Sequence, residues 1–571
     1  VQISSTNNGP ANAGVASRRL ISCIALAAVL AVTATAAKAD DSVSIQEIKA
    51  LKARLNMLEK RLDKQAKVTQ EVVRQQAAYP GPSGPYEPPM PWDKKFHLNG
   101  ITLTPGGFLA AEGVYRTRDT GGDFSPAFGS LPLYNAVGAH MGEFRETSRQ
   151  SRVSMLAEGA INPDTLASGY MELDFLGAGI TSNSEESNSY VPRIRHLYAT
   201  VDWNDLGLHV LGGQTWSLAT LNNKGITPRN EDIPLTIDAQ YVAGFTWARQ
   251  AQIRVTKNFG KDIWFAVSAE NPQTLGCAAG DIAGGAPAAV AVPGGTTAQC
   301  QQVPGGGSGQ LNPQRFYSFN HVPDVIAKAA WEPTIVDRKI HVEAFGIYTD
   351  LYDSTFTTAT GLNDVRHDTT GWGAGGSVIV QAMPKLVDLQ GSAMIGRGIG
   401  RYGSGQLDTT GINVNGSLAA LPEIMFLGGA IVHATPQLDL YAYGGEERIL
   451  NVDYQGVAFG STFNPGPGTG FSGASPSNAG CHIIGGACAA PTEATWEATA
   501  GFWDKVYDGS FGSVRVGLQY VYAERQLFES GATAASRSLG SPWFNDQMVY
   551  SSFRYYPFDA PVPPPAVVSK Y

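Results

Sequence analysis

Arg152, Arg254 and Arg515 each fall in a stretch where polar and apolar residues alternate one by one. In "QAQIRVTKNF", Gln250, Gln252, Arg254 and Thr256 face one way and Ala251, Ile253 and Val255 the other. In "GSVRVGLQYVY", Arg515 and Gln519 oppose Val514, Val516, Leu518, Tyr520 and Tyr522. "RQSRVSMLAEGAI" sets Arg152, Ser154 and Glu158 against Val153, Met155, Ala157 and Ile161; "GYMELDF" sets Glu172 and Asp174 against Met171, Leu173 and Phe175. Arg116 joins the polar set if "GGFLAAEGVYR" is the first strand. A guanidinium presents planar, paired donors that fit a carboxylate. Such arginines could meet passing anions, or could pair with Glu158, Glu172, Asp174 or Glu270 and brace a wall.

Catalytic readings find less support. The chain has no HExxH, GxSxG or P-loop pattern, and its nine histidines are scattered. The "ELD" carboxylates Glu172 and Asp174 share a strand face, as a glycosidase pair might, but such a pair is more simply ion-pair chemistry. No catalytic residue, metal site or cofactor is expected.

The elements that must carry these residues are strands. Charged residues make up only 16%, glycine is abundant at 66, and mean hydropathy is −0.12. Helical membrane proteins need apolar runs of about 20 residues, and one candidate exists, at the N-terminal end. Arg18 and Arg19 followed by "LISCIALAAVLAVTATAA" and "AKA" ending at Ala39 read as a signal peptide rather than an anchor. Its removal makes the net charge more negative than −9, which argues against a nucleic-acid partner.

Export agrees with the cysteines. Cys277 and Cys300 lie in one Gly/Ala/Pro-rich segment, Cys481 and Cys488 in another, a grouping that suggests two local disulfides. Zinc is the competing reading, but no CxxC spacing is present.

Residues 40–78 are polar with helical period. Ile48, Leu51, Leu55, Leu58 and Leu62 form a narrow a/d seam that needs sister helices, so this segment reads as a coiled coil. A solvated single helix or a tether is the alternative. Residues 79–99 form a Pro/Gly-rich linker. From 100 to 558 the chain repeats alternating segments of about ten residues, the pattern of a transmembrane antiparallel β-barrel, with lipid outside and water inside. Aromatics such as Trp264, Tyr520, Tyr522, Tyr555 and Tyr556 near segment ends suit interfacial girdles. Segments 272–313 and 460–492 read as long outer loops, "MPKLVD" and "TPQLD" as short turns. The stretch 547–558 reads as the closing strand, although Arg554 and Pro557 break its alternation, and a Pro-rich tail, 559–571, follows. Segment 222–244 has the length and proline content of a loop that folds inward, with Arg229, Glu231 and Asp232 at an eyelet.

The block "SRQSRVSMLAEG … YMELDFLGAG … PRIRHLYATVDW … VLGGQTWSLATL … ARQAQIRVT … WFAVSAENP" within 148–272 resembles the DcaP-like trimeric porins of Gram-negative outer membranes. That family also carries a coiled coil after its signal peptide. The resemblance implies an all-β barrel of about 16 strands, a homotrimer in outer-membrane lipid, the coiled coil in the periplasm, and passage of small anions such as dicarboxylates. It adds Arg193 and Arg195 of "PRIRHLY" as pore residues, although their spacing gives them the outward parity of Leu197 and Val201, which would set them beyond the lipid band. A non-selective porin, or a structural barrel whose helix tethers the membrane to peptidoglycan, remains the alternative.

Overall fold

The computed structural model describes residues 94–559, apart from stretches that include 178–190, 276–289, 303–316, 358–364, 464–479 and 529–541. The coiled-coil seam, the linker up to residue 93, the tail from 560, and both Cys277 and Cys300 lie outside the described residues.

Sixteen antiparallel strands form the wall. They are β1 (Ile101–Arg116), β2 (Arg152–Asn162), β3 (Thr165–Gly177), β4 (Val191–Trp203), β5 (Leu208–Trp216) and β6 (Arg249–Phe259). Then come β7 (Ile263–Glu270), β8 (Asp324–Trp331), β9 (Arg338–Thr357), β10 (Val365–Met383) and β11 (Val387–Arg397). The last are β12 (Pro422–His433), β13 (Leu438–Ile449), β14 (Thr492–Gly509), β15 (Gly512–Leu527) and β16 (Trp543–Tyr556). Each pairs with its neighbour in sequence, and β16 pairs with β1 from Leu109↔Tyr555 to Arg116↔Met548. Closure satisfies the backbone of every wall strand and leaves no sheet edge in lipid. Short turns join strands at one end, among them 384–386 and 434–437, while long connections gather at the other.

Alternation follows the expected faces on most strands. On β6, Gln252, Arg254 and Thr256 are buried inside, while Ile253 is 65% exposed outside. On β15, Gln519 is buried and Leu518 and Tyr520 face out. The exposed apolar side chains make up the surface that lipid would cover.

Three expectations need correction. Arg554 does not break the closing strand: it shares the inward face of Met548, Tyr550 and Ser552, with Val549 and Phe553 outward, and Pro557 follows the strand's end. Trp264 and Tyr556 are not girdle residues. Trp264 stacks on His209 at 5.8 Å, and Tyr556 meets Phe108 at 5.1 Å, with Phe108 buried on the inner face. The interior is also not simply water. Phe124, Phe128 and Leu131 of the 117–142 connection and Ile237, Val242 and Phe245 of the 217–248 connection cluster with Tyr441, Trp503 and Tyr550 of the wall. A second cluster sets Leu218 and Ile226 against Ile326, Phe345, Ile347 and Met425. Connections that enter the barrel bring apolar side chains with them, and the wall beneath must be apolar to bury those.

Candidate functional site: a loop across the barrel and its arginines

The 217–248 connection crosses the barrel interior. It first makes a small hairpin, with Asn223 N donating to Asn230 O and Asp232 N to Leu221 O, both at 2.8 Å. The hairpin lies along the β6–β9 wall, where Gly225 N donates to Glu332 Oε1 at 2.8 Å and Thr256 Oγ1 to Ile226 O at 3.2 Å. The chain then reaches the opposite wall. Trp503 Nε1 of β14 donates to Leu235 O at 2.7 Å, and Arg554 Nη2 of β16 to Ile237 O at 2.9 Å. Gln519 of β15 accepts from Ile237 N and donates to Asp238 Oδ2 at 2.8 Å. Arg229 and Tyr241 hold positive φ (69° and 63°), and Gly244 (φ 83°) lies so close to the Phe426 carbonyl that a Cβ would overlap it.

Tyr241 brings the loop to a group of guanidiniums on β2, β4 and β6. β4 carries a bulge: Glu172 pairs with His196 and Leu173 with Ile194, which leaves Arg195 as an extra residue. The bulge resets the parity, so His196 and Arg195 are both buried inside, and Arg193 also turns toward the interior to meet Asp174. Strict alternation would have sent both arginines outward, and that expectation is overturned. Arg195 bonds Glu172 Oε1 through Nε at 2.6 Å and Asp174 Oδ2 through Nη1 at 3.1 Å. Arg193 grips Asp174 with two bonds, of 2.7 and 3.0 Å. Arg152 stands 3.8 Å from Glu172 and 3.5 Å from the Tyr241 hydroxyl. Arg249 lies over the rings of Trp216 (4.8 Å) and Trp247 (5.4 Å), and its buried Nη1 has no hydrogen-bond partner among the described residues.

Four guanidiniums therefore gather around two carboxylates and one phenol. Burial would push the Tyr241 phenol up, but Arg195, Arg152 and Arg249 together bring it down to about 8, as a positive local potential requires.

Two cavities flank the loop. One, of about 200 Å³, is lined by Arg152, Arg515, Arg554, Tyr241, Trp503 and Tyr556, among others. The other, of about 540 Å³, has Asp232, Glu332, His341 and Asp388 in its lining, and Lys224, Lys261 and Lys339 at its exposed rim. Turn residues Lys261 and Asp262 place its mouth at the short-turn end.

Most of the remaining candidates have structural partners. Arg116 is fully buried and bonds Glu143 Oε1 at 2.7 Å and Thr120 Oγ1 at 3.2 Å. Arg254 bonds Trp216 O (2.7 Å) and Gln252 (3.0 Å) beneath the hairpin. Arg515 pairs with Asp559 at 3.2 Å and lies over Tyr556 at 4.4 Å. Arg229 sits over the Tyr170 ring at 5.7 Å. Glu158 shares the inward register of Arg152, nearer the short turns. Glu231 bridges to Asn222 within the hairpin. Glu270 receives Leu218 N at 2.8 Å. Cys481 and Cys488 are joined by a disulfide.

Arg249, Tyr241 and Trp503 were not singled out from the sequence, and Arg554 was noted only as a break in the closing strand. Arg249 opens its strand, outside the alternating run, and Arg554 was legible as the partner of Glu112 only once β16 met β1. That pair, Nη2 to Oε1, is 2.6 Å.

The fold defines a class: a closed, sixteen-stranded antiparallel barrel of the outer-membrane porin type, narrowed by an inward loop. Among solved structures the chain is similar to the outer membrane channel DcaP of Acinetobacter baumannii, at TM-score 0.52 and 17% identity, over 81% of this chain and 99% of that one. It also matches an anion-selective porin from Comamonas acidovorans, at 9% identity and TM-score 0.42, over 80% of this chain and 99% of that one. The first likeness establishes the fold; the second is too distant to carry an argument. No family model and no curated protein matches the chain.

Proposed function

We propose that this chain is an outer-membrane porin, a homotrimer that passes small hydrophilic solutes and prefers anions of the dicarboxylate kind. One observation carries the preference: Arg152, Arg193, Arg195 and Arg249 outnumber Glu172 and Asp174 where the crossing loop narrows the barrel. A fixed positive field offsets the partial desolvation of an anion in a narrow passage, and forked guanidinium donors fit carboxylates. The two loop-borne apolar clusters favour a narrow, selective path over a wide general pore. Short turns then face the periplasm and long loops the exterior, with the 40–78 coiled coil on the periplasmic side and its seam filled by the two sister chains. A tether to peptidoglycan through that helix is compatible with this arrangement. The reading assigns no catalytic role.

The test is single-channel conductance in planar bilayers under a salt gradient. An anion-directed reversal potential supports the reading, a cation-directed one removes the preference, and absence of conductance removes the porin. For assembly, the unheated protein should migrate at trimer size on a gel, and migration at monomer size counts against the trimer.

A further inference from the structure

The outer wall changes character beyond Tyr348. Along β9 the outward positions Val342, Ala344, Gly346 and Tyr348 are exposed and apolar, and Trp372 of β10 stands exposed in register beside Tyr348. The next outward position is Asp350, which is only 5% exposed although it belongs to the outer face. One rung further, Asp368 of β10 pairs in register with Tyr352. His321, just ahead of β8, lays its ring against Tyr352 at 5.2 Å.

These side chains converge. His321 Nδ1 lies 3.0 Å from Asp368 Oδ1. One ligand-type atom from each of His321, Asp350 and Asp368 lies within 4.8 Å of the other two. The buried Asp350 carboxyl faces the Asp368 carboxyl within this group, and among the described residues no Lys or Arg forms an ion pair with either one. Two carboxylates held together with one imidazole are short of positive charge, and a buried carboxylate facing another is costly unless a cation compensates.

We propose that His321, Asp350 and Asp368 bind a divalent first-row transition cation on the outside of the barrel. One imidazole nitrogen and two carboxylate oxygens are a donor set suited to Zn²⁺ or Mn²⁺, whereas Ca²⁺ and Mg²⁺ favour all-oxygen shells. Metal–ligand bonds of about 2.1 Å place ligand atoms up to about twice that apart, so a small contraction of the cluster closes it around an ion. The site stands just past the Tyr348–Trp372 pair, and the side chains of His321 (62% exposed) and Asp368 (54%) leave its outer side open to further ligands. A bound ion would join the segment before β8 to β9 and β10. The inference does not depend on the porin reading.

The experiment uses the full chain in detergent, free of any histidine tag and stripped with chelator. Mn²⁺ is titrated and the free ion followed by electron paramagnetic resonance; Zn²⁺ is measured by competition with a chelating dye. The expected result is saturable binding of one ion per chain, weakened at least tenfold in His321→Ala and in Asp368→Asn. Both substituted side chains are more than half exposed, so each variant should keep the folded gel mobility of the parent, and that mobility is scored alongside. Absence of saturable binding by the parent overturns the proposal. So does binding that stays unchanged in both folded variants.

Discussion

Arg195 Nη2 and the Tyr241 hydroxyl stand 3.3 Å apart, one on wall strand β4 and the other on the loop that crosses the barrel. The same guanidinium holds Glu172 and Asp174 of β3. A single buried side chain thus joins two wall strands to the loop. Positive charge at this point serves structure as well as any passing solute, so the two roles must be separated by experiment.

Arg249 separates them best, because its Nη1 end has no partner to lose. Arg249→Gln should move the reversal potential toward cations. Its cost in stability should be about 1 kcal/mol, the scale of lost stacking on Trp216 and Trp247. An unchanged reversal potential would remove Arg249 from the permeation path.

Arg195→Met should act mainly on stability. Removing one partner of a buried ion pair costs roughly 3–5 kcal/mol. Here the loss should fall near the lower end, because Asp174 keeps Arg193 and Glu172 keeps Arg152. The measurement is the temperature at which the folded gel band gives way to the unfolded one. Adding Asp174→Asn to Arg195→Met should recover part of the loss, since it removes a carboxylate left under-compensated.

Gly244→Ala tests whether the loop narrows the path. A Cβ would overlap the Phe426 carbonyl, and alanine is strained at φ 83°. The loop should lift from β12, which should raise single-channel conductance and make it noisier. Conductance equal to the parent's would mean that this segment does not set the narrowest point.

Asp238 ties the loop to β15, and burial pushes its carboxyl up to about 6 despite the Gln519 hydrogen bond. The folded state therefore holds a proton that the unfolded chain releases at ordinary carboxylate pH. The stabilisation is fully present below the unfolded value and is lost as pH rises from about 4 to about 6. Open-channel noise should thus be lower at pH 4.5 than at pH 7, and Asp238→Asn should flatten that dependence. A parent channel equally quiet at both pH values would contradict the assignment.

Much of the wall was legible in the sequence because a strand has a period of two and a barrel wall has two unlike sides. The faces of Arg254, Ile253, Gln519 and Leu518 follow from that alone; the short turns near Pro384 and Pro436, and the inward loop at 222–244, were legible instead from their length and proline content. The bulge at Arg195 was not legible, because it exists only as a mismatch between β4 and its partner β3, and one strand's sequence does not contain its register. Arg116 and Arg254 looked like pore residues for the same reason: parity sends a side chain inward but says nothing of what else is there. The packed connections met them with Glu143, Phe124 and Trp216.

By itself, then, the sequence determined the outward and inward faces of the regular strands, through local alternation that each segment carries independently, but not those of a bulged strand such as β4. The tertiary structure decided which inward charges are paired and where the loop lies. It also decided that Arg193, Arg195, Arg152 and Arg249 meet around Tyr241. Those outcomes rest on contacts between segments far apart in the chain, and long-range register is set by closure of the whole barrel.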